Sequence, residues 1–231
     1  MNKLVSALLS VVCPDLCLLC GTSLIEGEEK ICLNCVLKLS VTNFLPPYTD
    51  NELTERLATL RADVRRGVAF MHYERGNHSA RLIQEIKFNK RPSAMMPILD
   101  YHVPRLKSEG FFDGIDLLMP VPQHWTRLLS RGYSQTLILA REMSRKTGIP
   151  VARNLYAKRR HTSQTQFDAE ARRNNVVDVF AVRNPSHLAG KHILLVEDVV
   201  TTGSTVYNAM TTLSAAEPSV VISVYTLSLT L

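Results

Sequence analysis

Several things are missing from this sequence of 231 residues, and each absence removes a class of answer. No apolar run approaches the roughly 18–20 residues that a bilayer span needs, so a membrane-spanning chain is not expected. No internal repeat or low-complexity tract is visible, which argues against a solenoid or an extended disordered chain. No Ser/His/Asp set or pair of carboxylates marks hydrolytic or acid–base catalysis. From Val36 to Leu231 there is not one cysteine, so no disulfide can staple the larger part of the protein.

What is present fits a globular chain of one large domain or one domain with a small module. Hydrophobic residues make up 45% and charged residues 21%, enough for a substantial core without oligomerisation. Lys and Arg number 27 against 21 Asp and Glu, a formal charge of +6 that suggests a phosphate, nucleotide or nucleic acid as partner.

Met1 to Val12 has one lysine, a short apolar part broken by Ser6 and Ser10, and no small-x-small cleavage pattern. Its leucine and valine spacing predicts a short amphipathic helix on a cytoplasmic protein rather than an export signal. Cys13, Cys17, Cys20, Cys32 and Cys35 follow. Cys17-Leu-Leu-Cys20-Gly21 and Cys32-Leu-Asn-Cys35 are two C-x-x-C knuckles eleven residues apart. Such turns present four thiolates to one tetrahedral ion, most simply a structural Zn²⁺, although iron also suits four sulfurs. Redox dithiols are the alternative for either knuckle taken alone. Cys13 is the spare, expected to be a free thiol, with replacement of one of the four ligands as the alternative.

Downstream, Phe44 to Thr49 (FLPPYT) reads as a Pro-rich linker, and Asn51 to Arg61 as a short helix with Leu53, Leu57 and Leu60 on one face. Gly67 to Tyr73 predicts a strand, and Ser79 to Phe88 and about Ala94 to Lys107 predict helices. Ile115 to Met119 reads as a short buried strand, with a loop from Met119 to Gln135. Tyr133 to Lys146 is a helix closed by Gly148 and Pro150. A strand at Ile193 to Val196, a helix near Ser204 to Ser214 and a strand around Ser219 to Leu227 complete the pattern. Apolar strands alternating with helices predict an α/β fold with a parallel sheet.

The most informative stretch is His192 to Val206, HILLVEDVVTTGSTV. Four apolar residues form a strand, Glu197 and Asp198 end it, and a Thr/Gly/Ser loop opens a helix. In an open α/β sheet, ligands bind at the carboxyl ends of strands. Backbone amides and hydroxyls at a helix start suit a phosphate dianion, and Gly203 permits close approach or positive φ. Glu197 and Asp198 repel phosphate but accept hydrogen bonds from vicinal ribose hydroxyls. Acids above phosphate donors specify a sugar phosphate; an ordinary N-capped strand–loop–helix is the plainer alternative.

This motif resembles that of the type I phosphoribosyltransferases. The resemblance implies 5-phosphoribosyl-1-pyrophosphate (PRPP) as ligand, with Glu197 and Asp198 on the ribose 2′ and 3′ hydroxyls. The loop Val199, Val200, Thr201, Thr202, Gly203, Ser204 and Thr205 would wrap the 5-phosphate. Further segments narrow the likeness. Met119-Pro-Val-Pro-Gln-His-Trp-Thr-Arg127 leads to Arg131-Gly-Tyr-Ser-Gln135, and Arg160-His-Thr-Ser-Gln164 precedes Glu170 to Val176 and Phe180. With the cysteine knuckles and Leu82-Ile-x-x-Ile-Lys87-Phe88, almost the whole chain resembles, in one order, the ComF/GntX family of competence-associated phosphoribosyltransferase-like proteins. Glu197 stands where that family often has Asp, and Tyr133-Ser134 where it often has Phe-Asn.

The resemblance implies a type I phosphoribosyltransferase fold at residues 66–231, a zinc-ribbon module at 1–45 and a linker and helix at 46–65. It implies Mg²⁺ with PRPP, an acceptor of unknown identity, and a link to DNA uptake with competence proteins or a helicase as partners. Arg127, Arg131, Gly132 and Lys87 are candidates for the pyrophosphate, because charge-assisted bonds neutralise it. Solvated surface, or a helix C-terminal charge for Lys87, is the alternative. Lys158 to His161 with Arg172 and Arg173 could meet pyrophosphate or single-stranded DNA, or be solvated. His72, His102 and His124 lack metal spacing and are expected to be structural. Trp125 with Tyr133 is expected as a core or loop anchor more than a stacking face. A nucleic-acid-binding accessory without turnover, or a PRPP-sensing regulator, remains an alternative to an enzyme.

Overall fold

The computed structural model describes residues 14–60, 62–123, 125–158 and 179–231. Met1 to Val12, Cys13, His124 and the basic stretch at 159–178 lie outside the described residues.

The main sheet has four parallel strands in the order β1-β6-β5-β2: β1 Gly67–Tyr73, β2 Leu117–Pro120, β5 His192–Val200 and β6 Val221–Thr230. Parallel strands buried on both faces read as near-continuous apolar runs, and β5 and β6 do. Alternate residues of β5 serve two cores. Leu194 and Val196 pack with the helices α3 (His78–Lys87), α4 (Met96–Ser108) and α6 (Gln135–Thr147). Ile193 and Leu195 pack with α2 (Glu52–Thr59) and α7 (Ser204–Ala216). The period-2 alternation of a strand makes this a three-layer α/β fold.

Local chemistry sets the helix ends. Asn51 and Thr54 form a reciprocal capping box at the start of α2, and Asn77 accepts from the Ala80 N–H at 2.8 Å to start α3. Gly148, at φ +82°, closes α6 in the left-handed conformation that glycine adopts without strain.

The cysteine module is joined to this body. Ile31, Cys35 and Leu39 share a core with Val68 and Phe70 of β1. The chain then runs along β1: His72 N–H donates to Ser40 O at 2.7 Å, and Thr42 N–H to Phe70 O at 2.9 Å. The Pro-rich stretch expected as a linker carries Tyr48 into the core, edge-on to Phe111 at 5.3 Å and hydrogen-bonded to Glu109.

Two expectations change. Residues 119–135 hold a helix, α5 (Trp125–Arg131), within what reads as a loop. Strand β5 continues past the acids to Val200, because Val199 and Val200 keep parallel pairing with Ser228 and Leu229. A short antiparallel pair, β3 (Leu155–Ala157) with β4 (Phe180–Val182), is not evident from the sequence. Three residues give too little period to recognise.

Candidate functional site

Glu197 and Asp198 sit in β5 near its carboxyl end, both buried. Burial pushes the Glu197 carboxyl well above the usual carboxylate range, and the adjacent Asp198 charge pushes it further. Asp198 is paired instead: its Oδ2 lies 3.1 Å from Lys87 Nζ, at the last turn of α3. Two neighbouring acids thus occupy different electrostatic settings.

The loop after β5 is short because the strand runs on. Thr201, Thr202 and Gly203 turn the chain into α7, whose first residue is Ser204. Thr202 Oγ1 and Ser204 Oγ are 2.9 Å apart. Gly203 has φ +85°, and a Cβ there would lie 3.2 Å from side-chain carbons of both Leu57 and Leu60. Positive φ and close approach both demand glycine; what approaches it is α2. The same helix supplies Arg56, which donates to Thr201 O at 2.7 Å and Thr230 O at 2.6 Å. Arg56 carries no local signal in the sequence, because its partners lie far along the chain.

These elements enclose a cavity of about 520 Å³. Of the expected residues, Glu197, Asp198, Val199, Thr201, Thr205, Lys87 and Arg131 line it together. Val200 is buried against the second core, while Thr202, Gly203 and Ser204 form the adjoining turn. Gly132, at φ +83°, serves the turn after α5, its N–H donating to Leu128 O at 2.8 Å. Arg127 belongs to α5 by its backbone, and its side chain lies outside the described atoms. Residues not anticipated here are Phe88, Pro122 and Gln123, with Phe180 from β4. Phe88 is 71% exposed, and the Arg131 guanidinium lies 5.9 Å from its ring centroid.

His102 and Tyr133 behave as structural groups. His102 is buried against Tyr225, 3.1 Å from its hydroxyl, and Tyr133 donates to Ile86 O. The side chain of Trp125 lies outside the described atoms.

The sulfurs of Cys17, Cys20, Cys32 and Cys35 lie within 4.8 Å of one another. Cys20 Sγ and Cys32 Sγ are 3.7 Å apart, close to the roughly 3.8 Å edge of a tetrahedron with 2.3 Å metal–sulfur bonds. Cys32 N–H donates to Cys17 Sγ, and Thr22 holds the exposed Cys20 thiol down to about 6. The four sulfurs form a set that can hold one metal ion.

The parallel sheet, with acids at a strand's carboxyl end and a Thr/Gly/Ser turn into a helix, defines a protein with the type I phosphoribosyltransferase fold. Residues 133–228 match the phosphoribosyl transferase domain. Over 92 residues the chain is 34% identical to Competence protein F of Haemophilus influenzae, covering 39% of this chain and 40% of that protein. Over 203 residues it is 28% identical to DNA utilization protein YhgH of Escherichia coli K12, covering 84% of this chain and 88% of that protein. The YhgH of Salmonella typhimurium is 28% identical over 129 residues, covering 54% of this chain and 56% of that protein. The chain is thus similar to these competence and DNA utilization proteins, with a phosphoribosyl transferase match at 133–228 and a four-cysteine cluster near its start.

Proposed function

We propose that the acid cavity binds Mg-PRPP and that the protein transfers its phosphoribosyl group to an acceptor, within the use of imported DNA. The observation that carries this reading is the convergence of Glu197, Asp198, Thr201, Thr205, Lys87 and Arg131 on one cavity. Its acids suit vicinal ribose hydroxyls. The first-turn amides of α7, which meet no side-chain cap beyond a 3.4 Å donation from Ser204 N–H to Thr202 Oγ1, suit the 5-phosphate. Lys87 and Arg131 suit the pyrophosphate, whose departure from the anomeric carbon leaves an oxocarbenium-like centre. Burial and the Asp198 charge raise the Glu197 carboxyl above the usual carboxylate range, which favours the form that can donate to a ribose oxygen as well as accept.

Magnesium fits this donor set: two carboxylates are hard oxygen ligands, and Asp198 Oδ2 is buried with no hydrogen-bond donor beyond the Lys87 ion pair. When bound with pyrophosphate it would neutralise the leaving group. The remaining work falls to positioning and exclusion of water by this chain.

The link to DNA rests on the relatives, one printed as a competence protein and the other as a DNA utilization protein. We assign the four cysteines a structural Zn²⁺, because no position on the ion would be left open for chemistry. A cytoplasmic location is part of the same reading, since clustered thiolates serve metals where thiols stay reduced. Among the described residues no helix is long and apolar enough to cross a membrane.

Isothermal titration with Mg-PRPP is the test. Binding by the zinc-loaded protein, reduced at least tenfold in Glu197→Ala and Asp198→Ala, is expected. No heat from the unaltered protein would overturn the reading.

A further inference from the structure

A second cavity, of about 540 Å³, adjoins the first and shares Pro122, Gln123 and Ala157 with it. Its chemistry is opposite. Among the described residues no carboxylate lines it, and its two charged residues are Arg153 and Arg183. The β3–β4 pairing brings them together: Arg183 N–H donates to Asn154 O at 2.8 Å, and Asn154 Nδ2 to Arg183 O at 2.9 Å. The Arg183 guanidinium lies over the Tyr156 ring, 4.5 Å from its centroid. Neither arginine has an ion-pair partner among the described residues. On the shared wall, Gln123 Nε2 is engaged with Gln135 Oε1, whereas Gln123 Oε1 is buried and accepts no hydrogen bond.

We propose that this second cavity is the acceptor subsite, and that it selects a planar heteroaromatic ring bearing a carboxylate. The proposal rests on the phosphoribosyl-transfer reading of the acid cavity. Its volume lies within the roughly 300–1,000 Å³ typical of small-molecule sites. Arginine forks match a carboxylate in a planar, bidentate manner. The Tyr156–Arg183 pair offers a flat face for an aromatic ring. The unpartnered Gln123 Oε1 can accept a ring N–H, and an unmet buried acceptor is a standing penalty that such a ligand removes. Because the cavities adjoin, an acceptor held here has its ring nitrogen near the anomeric carbon of a sugar phosphate in the first. The nitrogen then supplies the pair for the new C–N bond. Pyrophosphate leaves with the pair of the old C–O bond; an acceptor with a ring N–H, such as orotate, then loses that proton to water, whereas a pyridine acceptor such as nicotinate keeps the new bond as a pyridinium and loses none. A nucleic-acid strand fits less well, since it asks for a groove of successive phosphate contacts rather than two cations in one concavity.

Two matched pairs of probes test this on the full-length, zinc-loaded protein: orotate against uracil, and nicotinate against nicotinamide. Each is titrated with and without Mg-PRPP, and pyrophosphate release is followed in parallel. At least one carboxylate is expected to bind ten times tighter or more than its neutral partner. Arg183→Gln and Arg153→Gln are expected to abolish that preference while Mg-PRPP still binds with unchanged affinity. Equal binding within both pairs, or no binding by any probe, overturns the proposal. So does the finding that the two variants weaken only the binding of an oligodeoxythymidine strand. Carboxylate selection with no Mg-PRPP binding would sink the reading of the acid cavity and leave the anion subsite standing.

Discussion

Lys87 Nζ lies 3.1 Å from Asp198 Oδ2, tying the last turn of α3 to the acid end of β5. The carboxylate is nearly buried, so the pair is not an exposed surface bridge of little worth. Breaking a fully buried pair by removing one partner costs about 3–5 kcal/mol, and the partial exposure of Lys87 reduces that to about 1–3 kcal/mol. Lys87→Met is therefore expected to destabilise the protein by this amount in urea unfolding. Adding Asp198→Asn should recover part of the loss, with a coupling of about 1 kcal/mol or more. Simple additivity of the two substitutions would show that the pair does not act as one.

Glu197 gives a pH dependence of definite sign. Its folded-state pKa is raised, so the native protein binds more protons than the unfolded chain above the ordinary Glu value. The resulting loss of stability grows as pH rises from about 4.5 toward the raised pKa. Glu197→Gln should thus raise the Tm of the ligand-free protein at pH 8, by about 2–4 °C per kcal/mol relieved, and change it little at pH 4. Thermal unfolding at the two pH values checks this; a gain of equal size at both would mean that titration is not the cause.

His102 has the opposite sign. Burial pushes its imidazole down to about 3, with the Arg105 charge adding to the effect. Its stabilising contribution is complete above about 6.5 and is lost as pH falls toward 3, by up to about 1.4 kcal/mol per pH unit. His102→Asn is expected to flatten the stability curve in that window. Urea midpoints measured at half-unit steps provide the comparison.

Arg56 and Gly203 distinguish the role of the turn after β5 from that of the core. Arg56→Met removes the donor that holds Thr201 O, so Mg-PRPP affinity should fall about tenfold with a Tm loss of only a few degrees. Gly203→Ala adds left-handed strain and contacts at 3.2 Å, and should cost about 1–2 kcal/mol in stability as well as affinity. Calorimetry and thermal unfolding of both variants distinguish the two outcomes.

The cysteine cluster should hold one metal ion per chain, lost on replacing Cys35 with Ser. Ile31, Cys35 and Leu39 lie in the same core as Val68 and Phe70, so metal removal should lower the stability of the whole protein rather than of a detached module. Elemental analysis and a chelator titration followed by far-UV circular dichroism test both parts. An unchanged Tm after full metal loss would contradict the second.

Much of this site is legible in the sequence because its parts are local. Glu197 to Thr205 is one unbroken stretch, and so is each C-x-x-C knuckle. The extent of β5 was harder to read. Val199 and Val200 look like the start of a loop, yet pairing with Ser228 and Leu229 keeps them in the strand. Such pairing overrides local pattern, since the partners come from a segment far along the chain. Helix α5 and the β3–β4 pair were missed for a related reason: they are too short for a period to stand out.

Sequence alone determined the parallel α/β class, the acid pair followed by a Thr/Gly/Ser turn and the four clustered cysteines, because periodicity and motif spacing are properties of neighbouring residues. With no cysteine after Cys35, every thiol of the described cluster comes from the first 35 residues. Only the tertiary structure decided that Lys87 neutralises Asp198, that Arg56 props Thr201 and that Tyr48 is anchored in the core. It also decided that a cavity whose described lining has two arginines and no carboxylate adjoins the acid one. Those relationships join residues far apart in the chain. Their energies arise only when folding removes water and brings the partners within a few ångströms, and no local pattern records that.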